Sequence, residues 1–345
     1  MPSLINSDLA AVSTGSGLYL YYQNDKSLHE TYSADGKSWT ASSTTVSDDL
    51  SDEGSPITAY YVKYDGSMDK KETIHVVYID HQHTLREKAK VLSDGGEAQW
   101  VEIDVPDSLK KAPIETSTLA SGVANDDTTY YSFQWVFFVE SPPEEDIRVA
   151  GIIRNSKNGW VWEHAADLIE EPAAALPGTA LANYVTTATS RVFLQDHKEN
   201  LVQYNGGYGS WTSMLSSNPI TYYLVSHESL TYTYTNLDKE TIVSSDGVLI
   251  STPIAAASSN ETEHPHVFYI SRPTDSNTAA IQDYQGGTST RIGGSYAPGS
   301  RLGAATLGCD TVYLFHKDTS SPLAISSEVF DGGSWKSNGT VVRSS

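Results

Sequence analysis

The chain has 345 residues, with 22 Lys and Arg against 43 Asp and Glu, and its net charge of -21 repels phosphate backbones and anionic lipid surfaces. That balance excludes nucleic acid and membranes as partners, and no window approaches the roughly 20 apolar residues of a transmembrane helix. A single cysteine, Cys309, excludes an internal disulfide framework. Aromatic residues reach 10%, with 21 Tyr, which suits sheets that pack face to face.

The first residues, MPSLINSDLAAV, hold neither a basic n-region nor a sustained apolar run, so a cytoplasmic location is expected and the sequons at Asn260 and Asn338 stay unused. From Leu18 to Trp39, alternating apolar and aromatic residues are punctuated by turns at Asn24-Asp25-Lys26 and at Asp35-Gly36. This predicts a hairpin with a third strand opening at Trp39. The same grammar returns at turn glycines 95, 159, 206, 247, 286 and 332, with tryptophans following at 100, 160, 211 and 335. A period of about 40 to 50 residues with a few strands per unit marks a β-propeller blade. The expectation is an all-β propeller of four-stranded antiparallel blades, one domain over residues 1–345. Seven blades follow from seven turn signals. Because the unit around Asp246 is short, six remain open, with Pro219 to Val248 then extending a neighbouring blade.

Small-residue strands starting at Leu9, Leu181, Ile254 and Leu302 are expected innermost, where large side chains would collide around the axis. Second strands are expected from Leu18, Ile74, Ile147, Arg191, Leu230, His266 and Thr311. The acidic clusters at Asp48, Asp49, Asp52 and Glu53, and at Glu144, Glu145 and Asp146, lack the ordered spacing of a calcium loop and read as solvated loops. His81 with His83, and His264 with His266, each share a strand face, but neither pair has a recognisable third metal ligand. No metal or nucleotide cofactor is expected. Trp39, Trp100, Trp211 and Trp335 recur at one place in the unit and read as structural. Ser33 to Trp39 resembles the Asp-box turn of sialidase propellers, one residue short, which is itself a structural feature.

At its second and third strands the chain resembles the fungal fucose-binding lectins of the Aleuria type, six-bladed propellers whose blades read roughly R-V-Y-Y-Q, turn, I-x-E, then D/N-G and W. The likeness covers most of the chain except Pro219 to Val248. In that family an Arg on the second strand and a Glu on the third hold sugar hydroxyls, and aromatic rings take the apolar face. Carried over, the pair is mostly dismantled. Tyr19 stands in the Arg position with Glu30, His75 with Glu87, and Arg191 with Gln203, while His266 and Thr311 occupy it in later units. Only Arg148 and Glu163 survive together, beside Trp160 and Trp162.

Degraded sugar positions on a lectin-like propeller also resemble the hetero-Diels-Alderases of fungal tropolone sesquiterpenoid biosynthesis, which join a tropolone-derived quinone methide to a humulene-type macrocycle. That resemblance implies a cofactor-independent pericyclase acting on small polyketide and terpene substrates; a homodimer is left open. It places His75, Arg191 and Tyr19 as the catalytic polar groups, to protonate a leaving hydroxyl or stabilise charge on the tropolone oxygen. Arg148, Glu163, Trp160, Tyr184 and Tyr222 would bind substrate. A fucose-type lectin with mostly degraded sites is the alternative.

Overall fold

At six places along the chain, among others with the same spacing, a Ser or Thr stands two residues ahead of a Leu or Ile, with a small residue following in all but one: Ser7 before Leu9, Ser55 before Ile57, Ser117 before Leu119, Thr179 before Leu181, Thr252 before Ile254, and Ser300 before Leu302. In the computed structural model each of these segments opens the innermost strand of a propeller blade. The structure describes all residues except 1–3, 5–6, 53, 93–98, 112, 127–130, 142–146, 156–158, 165–174, 186–188, 208–237, 259–263, 275–278, 294–295, 297–298, 309, 320 and 344–345. In five of the six blades the hydroxyl accepts the backbone N–H at or near the end of the second strand, at 2.7–3.0 Å, and donates to the next carbonyl. In the remaining blade Ser55 instead accepts from Ser51 N. Each hydroxyl thus satisfies a buried N–H where the chain enters the ring.

The first blade comprises β1 (Leu9–Ser13), β2 (Leu18–Asn24), β3 (Ser27–Ser33) and β4 (Thr40–Ala41). The second comprises β5 (Ile57–Asp65), β6 (Lys71–Ile79), β7 (Leu85–Val91) and β8 (Val101–Ile103), and the third β9 (Leu119–Asp126), β10 (Tyr131–Glu140), β11 (Arg148–Asn155) and β12 (Glu163–His164). The fourth holds β13 (Ala182–Val185), β14 (Thr189–Gln195), β15 (Leu201–Gly207) and β16 (Asp238–Val243). The fifth holds β17 (Ala255–Ala257), β18 (His266–Ile270), β19 (Ile281–Gln285) and β20 (Thr288–Arg291), and the sixth β21 (Gly303–Leu307), β22 (Thr311–Asp318), β23 (Ser321–Phe330) and β24 (Trp335–Arg343). Every blade is an antiparallel meander in chain order.

Six blades, rather than the favoured seven, account for the described strands. The surplus signal is Asp246-Gly247, which lies in the connection after β16 and opens no sheet of its own. Asn205-Gly206-Gly207, expected as a turn, is the end of β15, paired with β14. Within Pro219 to Val248, β16 completes the fourth blade; the strand expected from Leu230 lies outside the described residues, as do Trp211, Tyr222 and Cys309.

The core is six apolar layers, each filled by the facing sheets of two consecutive blades. Between blades two and three, for example, Val77 and Ile79 meet Val136 and Phe138. Burying each such side chain contributes about 1.5–3 kcal/mol before entropy is charged against it. The inner strands contact their neighbours all the way round, and β21 meets β1 to close the ring. There Gly303 sits so near Leu9 that a Cβ would lie 3.2 Å from the Leu9 Cβ. Lys317 ties the last blade to the chain start by donating to Leu4 O at 2.7 Å, and burial lowers its ammonium to about 8. Asn338 Nδ2 donates to Gly36 O at 2.8 Å across the same seam. Gly36 has φ +71°, and a Cβ there would strike the Tyr313 hydroxyl.

Candidate functional site in the clefts between blades

Side chains alternate across each sheet, so every second residue of the middle strands faces the next blade. The register fixes which ones. Glu30 lies opposite Tyr21, Glu87 opposite Val77, Ile153 opposite Trp135, Gln203 opposite Phe193, Asp283 opposite Phe268, and Ser327 opposite Phe315. Two residues earlier on the second strand stand Tyr19, His75, Phe133, Arg191, His266 and Tyr313. These diagonal pairs correspond to the Arg and Glu positions of the resemblance, and none of the six holds both an Arg and a Glu.

Arg148 and Glu163 are not such a pair. The second strand of the third blade is β10, so Arg148 opens the third strand, where its Nε donates to Glu140 Oε1 at 2.8 Å and His164 approaches the other oxygen. Glu163 is exposed on β12 opposite Ile153, five residues along β11 from Arg148. Trp160, at φ +63°, lays its ring where a Cβ on Gly66 would be. In the blade-sixth position of the Arg, Tyr313 replaces the expected Thr311.

Between blades two and three the cleft is sealed. His75 is fully buried, its Nε2 lying 2.7 Å from Asp65 Oδ2 and its Nδ1 lying 2.8 Å from Glu87 Oε1, while Tyr60 stacks on its ring at 4.9 Å. Arg154, 0% exposed, crosses from blade three: its Nη2 donates to Glu87 Oε1 at 2.9 Å and its Nε to Gln134 Oε1 at 2.8 Å. The Trp162 ring covers the guanidinium at 4.6 Å and its Nε1 donates to Glu87 Oε2 at 2.6 Å. Burial alone would raise the Glu87 carboxyl, but the Arg154 charge and the bonds from His75 and Trp162 hold it below the usual glutamate value. Asp65 is likewise held well below its usual value, against burial, by bonds from His75 and Ser67 and by the charges of His75 and Arg154. Arg154 Nη2 also approaches His75 Nδ1 at 3.0 Å, so the imidazole is enclosed by Asp65, Glu87, Arg154 and Tyr60. His75 therefore has no surface to offer a ligand.

Between blades one and two the same position is buried as well, but under a partly exposed aromatic rim. Lys90, reaching over from β7, donates to Glu30 Oε2, and Tyr21 donates to that same oxygen at 2.7 Å. The ammonium lies 4.6 Å from the centre of the Tyr19 ring and 5.2 Å from that of Trp100. Burial lowers the Lys90 pKa, against the opposing pull of Glu30. Burial and the Glu30 charge push Tyr19 up to about 12, so its hydroxyl stays a donor at neutral pH. Tyr19, Tyr32, Tyr61 and Trp100 are each only partly buried, and the Tyr19 and Tyr32 rings meet at 4.7 Å. Sequence reasoning named Tyr19 here and missed Lys90, whose partner is 60 residues away.

The fifth and sixth blades enclose a third polar group. His266 Nδ1 lies 2.8 Å from Asp283 Oδ2, and Trp335 Nε1 donates to that oxygen at 3.0 Å, while Asp283 Oδ1 is buried without a partner. Trp335, Trp162, Trp100 and Trp39 all lean from an outer edge onto the preceding blade. Of the other expected residues, Arg191 is half buried on β14 opposite Tyr184, and Tyr184 packs with Phe193, Ile254 and Val267 between blades four and five. The residues that open the inner strands, among them Asp8, Thr118 and Arg301, ring a channel mouth whose cavity is only about 40 Å³, far smaller than the few hundred Å³ of small-molecule sites. Among the described residues no cluster of three or more His, Cys, Asp or Glu could hold a metal.

Neither a protein-family model nor a curated protein sequence matches the chain. Among solved structures it is similar to AofleA from Arthrobotrys oligospora, with TM-score 0.70 and 17% identity over 99% of this chain and 88% of that one. It is similar also to the six-bladed fucose-recognising lectin of Aleuria aurantia, with TM-score 0.68 and 16% identity over 98% and 96% of the two chains. The SapL1 lectin, solved with α-methyl fucoside, aligns with TM-score 0.64 and 18% identity over 99% of each chain. At these identities the likeness establishes the six-bladed lectin-like fold.

Proposed function

We propose that this propeller has exchanged sugar recognition for small-molecule catalysis, acting as a cofactor-independent hetero-Diels-Alderase that joins a tropolone-derived quinone methide to a macrocyclic terpene alkene. The observation that carries the reading is internal occupancy. Glu30 and Glu87, the carboxylates a sugar would need, are already neutralised by Lys90 and Arg154 from the neighbouring blade and covered by Trp100 and Trp162. Between blades one and two a buried cation lies under a partly exposed rim of aromatic rings that includes the Tyr19 phenol. A cycloaddition needs no nucleophile. It gains most from holding diene and alkene in a reactive pose, which replaces several kcal/mol of bimolecular entropy cost, and from a donor aimed at the oxygen on which charge develops.

The test compares rate and stereochemistry of product formation from the two precursors with and without purified protein, since such reactions also run uncatalysed. Acceleration with a changed isomer ratio is expected; equal rates and an unchanged ratio would remove the proposal. A lectin is the second reading, favoured by one observation: the unpartnered Asp283 Oδ1 beside Trp335 could accept a sugar hydroxyl. On that reading α-methyl fucoside binds at one site, and Asp283→Asn abolishes it.

A further inference from the structure

The geometry points to Lys90, set between the rings of Tyr19 and Trp100, as the charged donor that captures a flat conjugated ligand through an anionic or strongly polarised oxygen, an enolate, phenolate or tropolonate. This rests on the reading above and names the group that would hold its electrophile. An ammonium has three donors, and Glu30 takes one. The aromatic faces of Tyr19 and Trp100, at 4.6 and 5.2 Å, are the partners the structure gives the charge beyond Glu30. A ring face is a weaker partner than an oxygen. A planar ligand sliding along those rings would bring the better acceptor while keeping the stacking area.

Glu30 does not oppose the exchange. Tyr21 also donates to it, at 2.7 Å, so the carboxylate keeps a hydrogen bond when the ammonium turns toward a ligand. The Tyr19 hydroxyl, held protonated, supplies a second donor at the partly exposed edge of the slot. The corresponding cation of the next cleft cannot do this. Arg154 is committed to Glu87 and Gln134 and lies at zero exposure under Trp162.

The experiment titrates the protein with tropolone, followed by quenching of tryptophan fluorescence, in the wild type, Lys90→Met and Lys90→Arg, with circular dichroism as the check on folding. Saturable binding by the wild type is expected. It should weaken at least 10-fold in Lys90→Met, recover in Lys90→Arg, and fall with rising salt. A wild type that does not bind, or a folded Lys90→Met that binds as the wild type does, overturns the inference. Should Lys90→Met not fold, Trp100→Leu at the partly exposed wall carries the test, and unchanged affinity there overturns it equally. Product formation measured on the same samples separates the two claims. Binding through Lys90 without acceleration sinks the catalytic reading alone, whereas acceleration that Lys90→Met leaves untouched sinks this site alone.

Discussion

The cleft between blades two and three and the cleft between blades one and two hold the same elements: a third-strand carboxylate, a cation from the following blade, and that blade's tryptophan. They differ in how fully the cation is used. Arg154 presents a rigid fork that Glu87 and Gln134 engage while Trp162 stacks on it, and the site shuts. Lys90 is a point charge with one carboxylate, and its ring neighbours Tyr19 and Trp100 stay partly exposed. Whether such a cleft is sealed or keeps a partly exposed aromatic rim therefore follows from how many groups engage the cation that the next blade's third strand supplies.

The largest expected effect breaks the sealed cleft. Arg154→Met leaves Glu87 and Asp65 buried with less compensating charge, and removing one partner of such a buried pair costs about 3–5 kcal/mol. Lys90→Met should cost less, roughly 1–3 kcal/mol, because Glu30 retains the hydrogen bond from Tyr21 and is less completely buried than Glu87, at 7% exposure against 1%. Urea denaturation of the two variants checks the order, and equal losses would erase the distinction drawn between the clefts.

Acid should act on the same asymmetry. Asp65 and Glu87 have depressed pKa values in the folded protein. A group depressed on folding stabilises fully above its unfolded value, about 4, and loses that contribution as pH falls through the folded value. The melting temperature is therefore expected to drop between about pH 5 and pH 2, and Asp65→Asn to flatten that slope while lowering stability at neutral pH. An unchanged slope would show that the network does not titrate as drawn. An effect smaller than that of Arg154→Met belongs to Trp162→Phe, which keeps an aromatic ring over Arg154 but removes the 2.6 Å bond to Glu87. A loss of about 1.5–3 kcal/mol at neutral pH fits a hydrogen bond to a charged group.

Much of the fold was legible in the chain. Inner strands at Leu9, Leu181, Ile254 and Leu302, and second strands at Leu18, Ile74, Arg191, His266 and Thr311, fall where apolar alternation and small residues put them. The blade count misled because glycine turns occur between blades as well as within them, as at Asp246-Gly247. The Ser or Thr two residues before each inner Leu or Ile recurs once per blade, because in five of the six its hydroxyl satisfies a buried N–H, but the same spacing also occurs elsewhere, as at Ser16 and Leu18, and so could not count blades from the sequence alone. The third blade was misread because β10 and β11 are both apolar, each buried on two faces, so pattern alone could not order them. That error made Arg148 and Glu163 a pair. The cations were least legible, since Lys90 meets Glu30 across 60 residues and Arg154 meets Glu87 across 67. Arg154 did leave one trace: a charge in the apolar run GIIRN must find a buried partner.

The claim at the centre of this account is that the sugar positions are filled from within. Calorimetric titration of the purified protein with α-methyl fucoside tests it most directly. The account predicts no saturable binding at the clefts holding Glu30 and Glu87, in the wild type and in Lys90→Arg alike. Saturable binding at several sites per chain, weakened by Glu30→Gln or Glu87→Gln in a folded protein, would contradict it.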